Sequence, residues 1–124
     1  MATYVIDAYN VMFSTKEFSP FRSGDKWATS RRKFIRLVSE FAAKTEDKVI
    51  VVFDGKGQDG KKGNLEIIFA DNKTADKKVA ELWKNLPPDT VFVSSDKRGV
   101  LGRMRSEKAK FIGASKFIGI LKKK

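Results

Sequence analysis

The chain contains neither cysteine nor histidine. Their absence excludes disulfides, thiolate nucleophiles, Cys/His zinc sites, His-ligated haem, and Ser-His or Cys-His nucleophilic mechanisms. Any chemistry falls to carboxylates, Lys, Arg, Ser, Thr, Tyr, or a metal held by oxygen. Proline is scarce: Pro20, Pro87 and Pro88 are the three, all in segments that read as loops. Long apolar runs are missing too. The opening MATYVIDAYN holds only a strand-length apolar run with no basic flank, so it reads as neither a signal peptide nor a membrane span, and a cytoplasmic protein with no membrane partner is expected. No internal repeat, low-complexity tract or long linker interrupts the chain.

The 124 residues are 41% hydrophobic and 33% charged, a globular composition. A chain of this size buries about two thirds of its unfolded surface, so residues 1–124 are expected to form a single domain with one core. Acidic residues are few: 15 against 26 Lys and Arg, for a net charge of +11 and a pI near 10.0. Such an excess favours a polyanionic partner through counterion release. Lys-rich surfaces without a dedicated ligand have the same composition, so charge alone does not identify a nucleic-acid protein.

Thr3 to Asp7 and Lys48 to Asp54 read as buried strands, because both are β-branched runs, and each ends on an aspartate. Between them, Lys26 to Lys44 places Trp27, Phe34, Leu37, Val38 and Phe41 on one face of a 3.6-residue period, an amphipathic helix. Asp54 to Gly63 (DGKGQDGKKG) carries four glycines and three lysines and is expected to be a mobile, solvated loop. Leu65 to Ala70 follows as strand. Thr74 is the expected N-cap of a helix with Val79, Leu82, Trp83 and Leu86 on its apolar face, ended by Pro87 and Pro88. Thr90 to Ser94 is the next strand and leads to Asp96. A polar, Arg-rich segment through Lys108, a short strand at Lys110 to Ile112 and a helix from Ser115 to Leu121 complete the chain. This alternation implies an α/β fold: right-handed crossovers and a mostly parallel sheet covered by helices on both faces.

In such folds ligands bind at the carboxyl ends of the strands. Asp7, Asp54 and Asp96 each follow or end a predicted strand on that side, and Asp76 opens the helix after the next one. Taken singly, each is also an ordinary turn or helix-capping residue. Together, four converging carboxylates repel one another unless protonated or bridged by cations. Mg²⁺ or Mn²⁺ suits an all-oxygen site without histidine, and such ions clamp the attacking and leaving oxygens in phosphodiester hydrolysis. On this reading Asp7 and Asp96 hold the central ion, Asp54 and Asp76 complete its surroundings, and metal-activated water is the nucleophile.

Asn10 is placed to hydrogen-bond Asp7 or a substrate phosphate, or else is a turn former. Ser94 and Ser95 either bind phosphate or cap the following helix. Lys56, Lys61 and Lys62 lie on the expected loop beside Asp54, where they reach a phosphate backbone or simply keep the loop solvated. Arg98, Arg103 and Arg105 are better suited to fixed phosphate contacts, since Arg pairs with phosphate through two parallel hydrogen bonds. Arg31, Arg32 and Lys33 read as helix surface, and Lys122 to Lys124 as a frayed tail. Trp27 and Trp83 belong to apolar helix faces and read as core. Tyr9 and Phe13, next to the first aspartate, are the aromatics to consider for stacking on a base.

VIDAYNVMF, VVFDGKG, TADKKVAEL, VSSDKRG and KFIGASKFIGIL occur in the order and spacing of the NYN domains, and over nearly the whole chain the sequence resembles their YacP-like group. The resemblance implies a three-layer α/β/α PIN-like (Rossmannoid) domain and a Mg²⁺- or Mn²⁺-dependent ribonuclease, linked in some members to mRNA or ribosome-associated RNA. It places the family's acidic positions on Asp7, Asp54, Asp76 and Asp96, with Asp7, Asp76 and Asp96 as metal ligands. Ala8 stands where the family usually has glycine. Lys77 stands where a carboxylate commonly follows the TAD aspartate, which weakens a second metal site unless Glu81, one helical turn on, points inward.

Two functions follow from these residues. One is an endoribonuclease cutting single-stranded RNA, with Asn10, Ser95, Lys56, Arg98 and Arg103 on the substrate. The other is an RNA-binding or ribosome-associated module that keeps the fold with weak or no catalysis, a reading favoured by Lys77. A DNA nuclease or a toxin of the same superfamily is a third. Monomer and homodimer are both compatible with the pattern.

Overall fold

The computed structural model describes residues 3–15, 18–19, 26–71, 75–83, 86, 90–94 and 110–122, without the side chains of Trp27, Ala75, Asp76, Ala80 and Trp83. Six strands form one sheet: β1 (Thr3–Asp7), β2 (Lys48–Phe53), β3 (Gly60–Lys62), β4 (Leu65–Phe69), β5 (Thr90–Ser94) and β6 (Lys110–Gly113). Four helices among the described residues accompany them: α1 (Ala8–Phe13), α2 (Trp27–Lys44), α3 (Ala75–Trp83) and α4 (Ala114–Lys122). The strand order is β3-β4-β2-β1-β5-β6, and every pairing except β3 with β4 is parallel.

Strands buried on both faces read as continuous apolar runs, and β2 and β5 are such strands. Successive residues of β2 alternate between two cores. Val49, Val51 and Phe53 join Ile6, Phe34, Val38, Phe117 and Leu121 on the face carrying α1, α2 and α4. Ile50 and Val52 join Val5, Ile68, Phe92 and Val79 on the face carrying α3. The result is a three-layer α/β/α arrangement with a mostly parallel sheet, as the alternation of elements implied.

From β1 the chain moves through α1 and α2 to β2, on one side of β1, whereas from β4 it returns through α3 to β5, on the other side. These crossovers run in opposite directions along the sheet and lie on opposite faces, which one shared hand requires. Their divergence makes the carboxyl ends of β1 and β5 a topological switch point, the place where open α/β sheets bind ligands.

Two sequence expectations are corrected. Gly60 to Lys62 forms strand rather than loop, pairing antiparallel with β4 through Lys62 opposite Leu65. The cause is the two-residue Gly63-Asn64 turn, whose glycine has φ +58°, a hairpin signal hidden among lysines and other glycines. The second is α1, a helix through Asn10 that the sequence pattern had not indicated, so Asn10 is a helix residue and not a turn former. It starts directly after a strand and spans 6 residues, too short for a periodicity to show. The expected N-cap Thr74 lies outside the described residues.

Candidate active site

Asp7 ends β1 and is the residue from which α1 departs, with φ −79° and ψ 94°. Its register partner on β2 is Val52, so Asp54 stands two residues further along the neighbouring strand, just past its carboxyl end. On the other side, Ile6 pairs with Val93, which brings Ser94 beside Asp7. Asp7 is 6% exposed and Ser94 1% exposed, so the floor of the site is nearly dry while Asp54 is half-buried. A carboxylate in such a setting interacts more strongly with a cation than it would in water.

The Ser94 hydroxyl donates to Asn10 Oδ1 at 2.9 Å, across a separation of 84 residues. The acceptor end of the Asn10 amide is therefore held by β5, and its donor end is directed away from Ser94. Neither the 84-residue separation nor the helical setting of Asn10 was visible in the sequence; Ser94 had stood only as a phosphate binder or cap.

Beyond Asp54, the chain folds back over the end of β4. Asp59 Oδ1 accepts from the Phe69 N–H at 2.8 Å, and the Asp71 N–H donates to the Gly55 carbonyl at 2.9 Å. Gly57 lies so close to the Phe69 ring that a Cβ there would overlap it. Lys56, Gly57, Asp59, Phe69 and Asp71 line an open depression of about 530 Å³, with Lys56 exposed. The segment expected to be mobile is thus tied down at several points.

Of the four aspartates, the structure places Asp7 and Asp54 at adjacent strand ends and puts Asp76 in the first turn of α3. The side chain of Asp76, and Asp96, Ser95, Arg98, Arg103 and Arg105 altogether, lie outside the described residues. Among the described residues no group of three or more acidic side chains is close enough to hold a metal. The donors present are nonetheless carboxylate oxygens, one of them buried, which suits a hard divalent cation and not a thiolate or imidazole-preferring one. Lys77 and Glu81 are both exposed on α3.

No helix among the described residues is long and apolar enough to cross a membrane. The sequence profile of the YacP-like NYN domain matches residues 4–124. No curated protein matches the chain. Among solved structures, the crystal structure of Rae1 (YacP) from Bacillus subtilis superposes with a TM-score of 0.75 at 22% identity, covering 98% of this chain and 74% of that one. A single-substitution variant of the same protein gives a TM-score of 0.75 at 22% identity, covering 98% of this chain and 75% of that one. A match over nearly the full length, on a sheet that carries two of the four expected aspartates at its carboxyl edge, places this chain in the YacP-like NYN family of PIN-like nuclease domains.

Proposed function

We infer that the chain, acting as one domain, is a metal-dependent endoribonuclease that cuts single-stranded RNA. The observation that supports this most is the buried Asp7 carboxylate at the β1/β5 switch point, with Asp54 on the neighbouring strand end. PIN-like nuclease domains generally use divalent metals, and Asp7, Asp76 and Asp96 would hold Mg²⁺ or Mn²⁺ here, with Asp54 beside them. Such an ion supplies charge neutralisation at the phosphate and a water acidic enough to attack at neutral pH.

The protein's own groups do the rest. Asn10, whose amide oxygen accepts from Ser94, contributes to holding the substrate next to Asp7. Ser95 offers a hydroxyl to a phosphate there. Lys56, Arg98 and Arg103 bind the flanking phosphates, the arginines with fixed geometry and the lysine as a point charge. The net charge of +11 draws the polyanion to this edge despite the carboxylates within it. RNA, including ribosome-associated RNA, is the partner this charge fits, and the setting is cytoplasmic.

Lys77, standing where a carboxylate commonly follows the TAD aspartate, favours a second reading, an RNA-binding module with weak or no catalysis. Cleavage of a labelled single-stranded RNA in Mn²⁺, Mg²⁺ and EDTA, with Asp96→Asn beside the wild type, separates the two. Cutting that needs the metal and is lost in the variant supports the nuclease; salt-sensitive binding without cutting supports the binding module.

A further inference from the structure

Among the described residues three have positive φ: Gly55 at 81°, Gly63 at 58° and Asp71 at 62°. Gly63 belongs to the hairpin turn. The other two are the ends of one hydrogen bond, in which the Asp71 N–H donates to the Gly55 carbonyl at 2.9 Å. A non-glycine residue in the left-handed region is held there against its own preference, and such outliers gather where a fold must place a functional group.

The group between these anchors is Asp54. The Ala70 N–H donates to the Phe53 carbonyl at 2.8 Å, so the carbonyls on either side of Asp54 are both tied to the end of β4. Along a regular strand only alternate N–H groups reach the same neighbour. Ala70 and Asp71 are successive, and both reach the chain leaving β2 because the backbone turns left-handed at Asp71. The Phe69 N–H donates to Asp59 Oδ1 at 2.8 Å, and Gly57 lies on the Phe69 ring with no room for a Cβ. Three successive N–H groups, of Phe69, Ala70 and Asp71, hold the segment from Phe53 to Asp59. Of the three bonds, the one at Gly55 is the first to follow Asp54, and it is the one that depends on a strained residue.

We propose that Asp71 is a positioning residue: its left-handed backbone, through the bond to Gly55, holds the Asp54 carboxylate beside the divalent cation at Asp7. The proposal rests on the metal-site reading for the identity of the ion. It assigns the work to the Asp71 backbone and not to its carboxylate. Losing a group that orients the residues around a metal costs about 10- to 100-fold in metal affinity.

The experiment is Mn²⁺ binding to the RNA-free protein, followed by loss of the free-ion EPR signal, at equal folded fraction. The variants are Asp71→Asn, Asp71→Gly, Asp71→Val, Asp54→Asn and the double variant Asp54→Asn with Asp71→Val, with Asn64→Ala as a control for lowered stability at the far end of the sheet. Asparagine and glycine enter the left-handed region readily, whereas a β-branched residue resists it. The expected result is that Asp71→Val weakens Mn²⁺ binding about 10-fold, while Asp71→Asn, Asp71→Gly and Asn64→Ala bind as the wild type does. Asp71→Val adds no further loss to Asp54→Asn, the signature of one residue acting through the other.

Unchanged binding in Asp71→Val overturns the proposal, as does an equal loss in Asp71→Asn, which moves the role to the carboxylate. A full additional loss in the double variant, a Mn²⁺ affinity unmoved by Asp54→Asn, or a wild type that binds no Mn²⁺ overturns it too. RNA cleavage is read separately: a wild type that shows the expected binding pattern and cuts no RNA overturns the nuclease reading and leaves the positioning role standing.

Discussion

At the amino end of the sheet, the Asn64 amide nitrogen donates to the carbonyls of Ala42, Thr45 and Asp47 at 2.7, 3.0 and 2.7 Å. At the carboxyl end, the Asn10 amide offers its oxygen to Ser94. The same side chain does opposite work in the two places. Asn64 directs its donors into the framework and ties the end of α2, the start of β2 and the β3–β4 turn together. Asn10 instead ties down its acceptor, on the strand next to Asp7. The aromatics divide likewise. At the amino end Tyr4, Phe41 and Phe117 close on one another with centroids 5.4 to 6.4 Å apart, and burial, with Asp47 nearby, pushes the Tyr4 phenol pKa up. At the carboxyl end a run of ring contacts leads from Phe69 through the buried Phe53 and Tyr9 to the exposed Phe13. One end is closed by packed rings, and the other ends on an exposed one.

The sharpest way to break this contrast is to remove Phe53, which belongs both to the core and to that run of rings. Phe53→Ala empties a fully buried site and is expected to cost about 3–5 kcal/mol, read as a lowered midpoint in urea unfolding at unchanged slope. Asn64→Ala comes next. It leaves three carbonyls short of a donor and should cost about 1–3 kcal/mol without altering RNA cleavage by the folded fraction. Ser94→Ala is expected to have the smallest effect on stability and the opposite signature. Losing one hydrogen bond to Asn10 should slow cleavage about 3- to 10-fold while the unfolding midpoint hardly moves. If Asn64→Ala proved the more damaging to cleavage at equal folded fraction, the division of labour between the two ends would be wrong.

Much of the fold was legible because it rests on local patterns. The β-branched runs at Thr3–Asp7 and Lys48–Phe53 and the apolar stripe through Phe34, Val38 and Phe41 each carry their own signal. The aspartates at the ends of β1 and β2 were legible for the same reason, since a parallel strand marks where its carboxyl end lies. What escaped has two physical causes. Short elements such as α1 and β3 are held by their neighbours rather than by propensity, and β3 hid behind its glycines and lysines. The Ser94–Asn10 bond joins residues 84 apart and follows only from β1 and β5 being neighbours. The Tyr9–Phe13 pair, at i and i+4, would have been readable had the helix been recognised.

The measurement that tests the central claim most directly is single-turnover cleavage of a single-stranded RNA in Mn²⁺ by wild type and Asp7→Asn, with RNA affinity measured in parallel in EDTA. Asp7 is buried at the switch point, and the account expects its substitution to slow cleavage by at least about 100-fold. RNA affinity should stay within about threefold, because the phosphate contacts lie on other residues. Cleavage by Asp7→Asn at the wild-type rate, or a loss of RNA binding as large as the loss of cleavage, would contradict it.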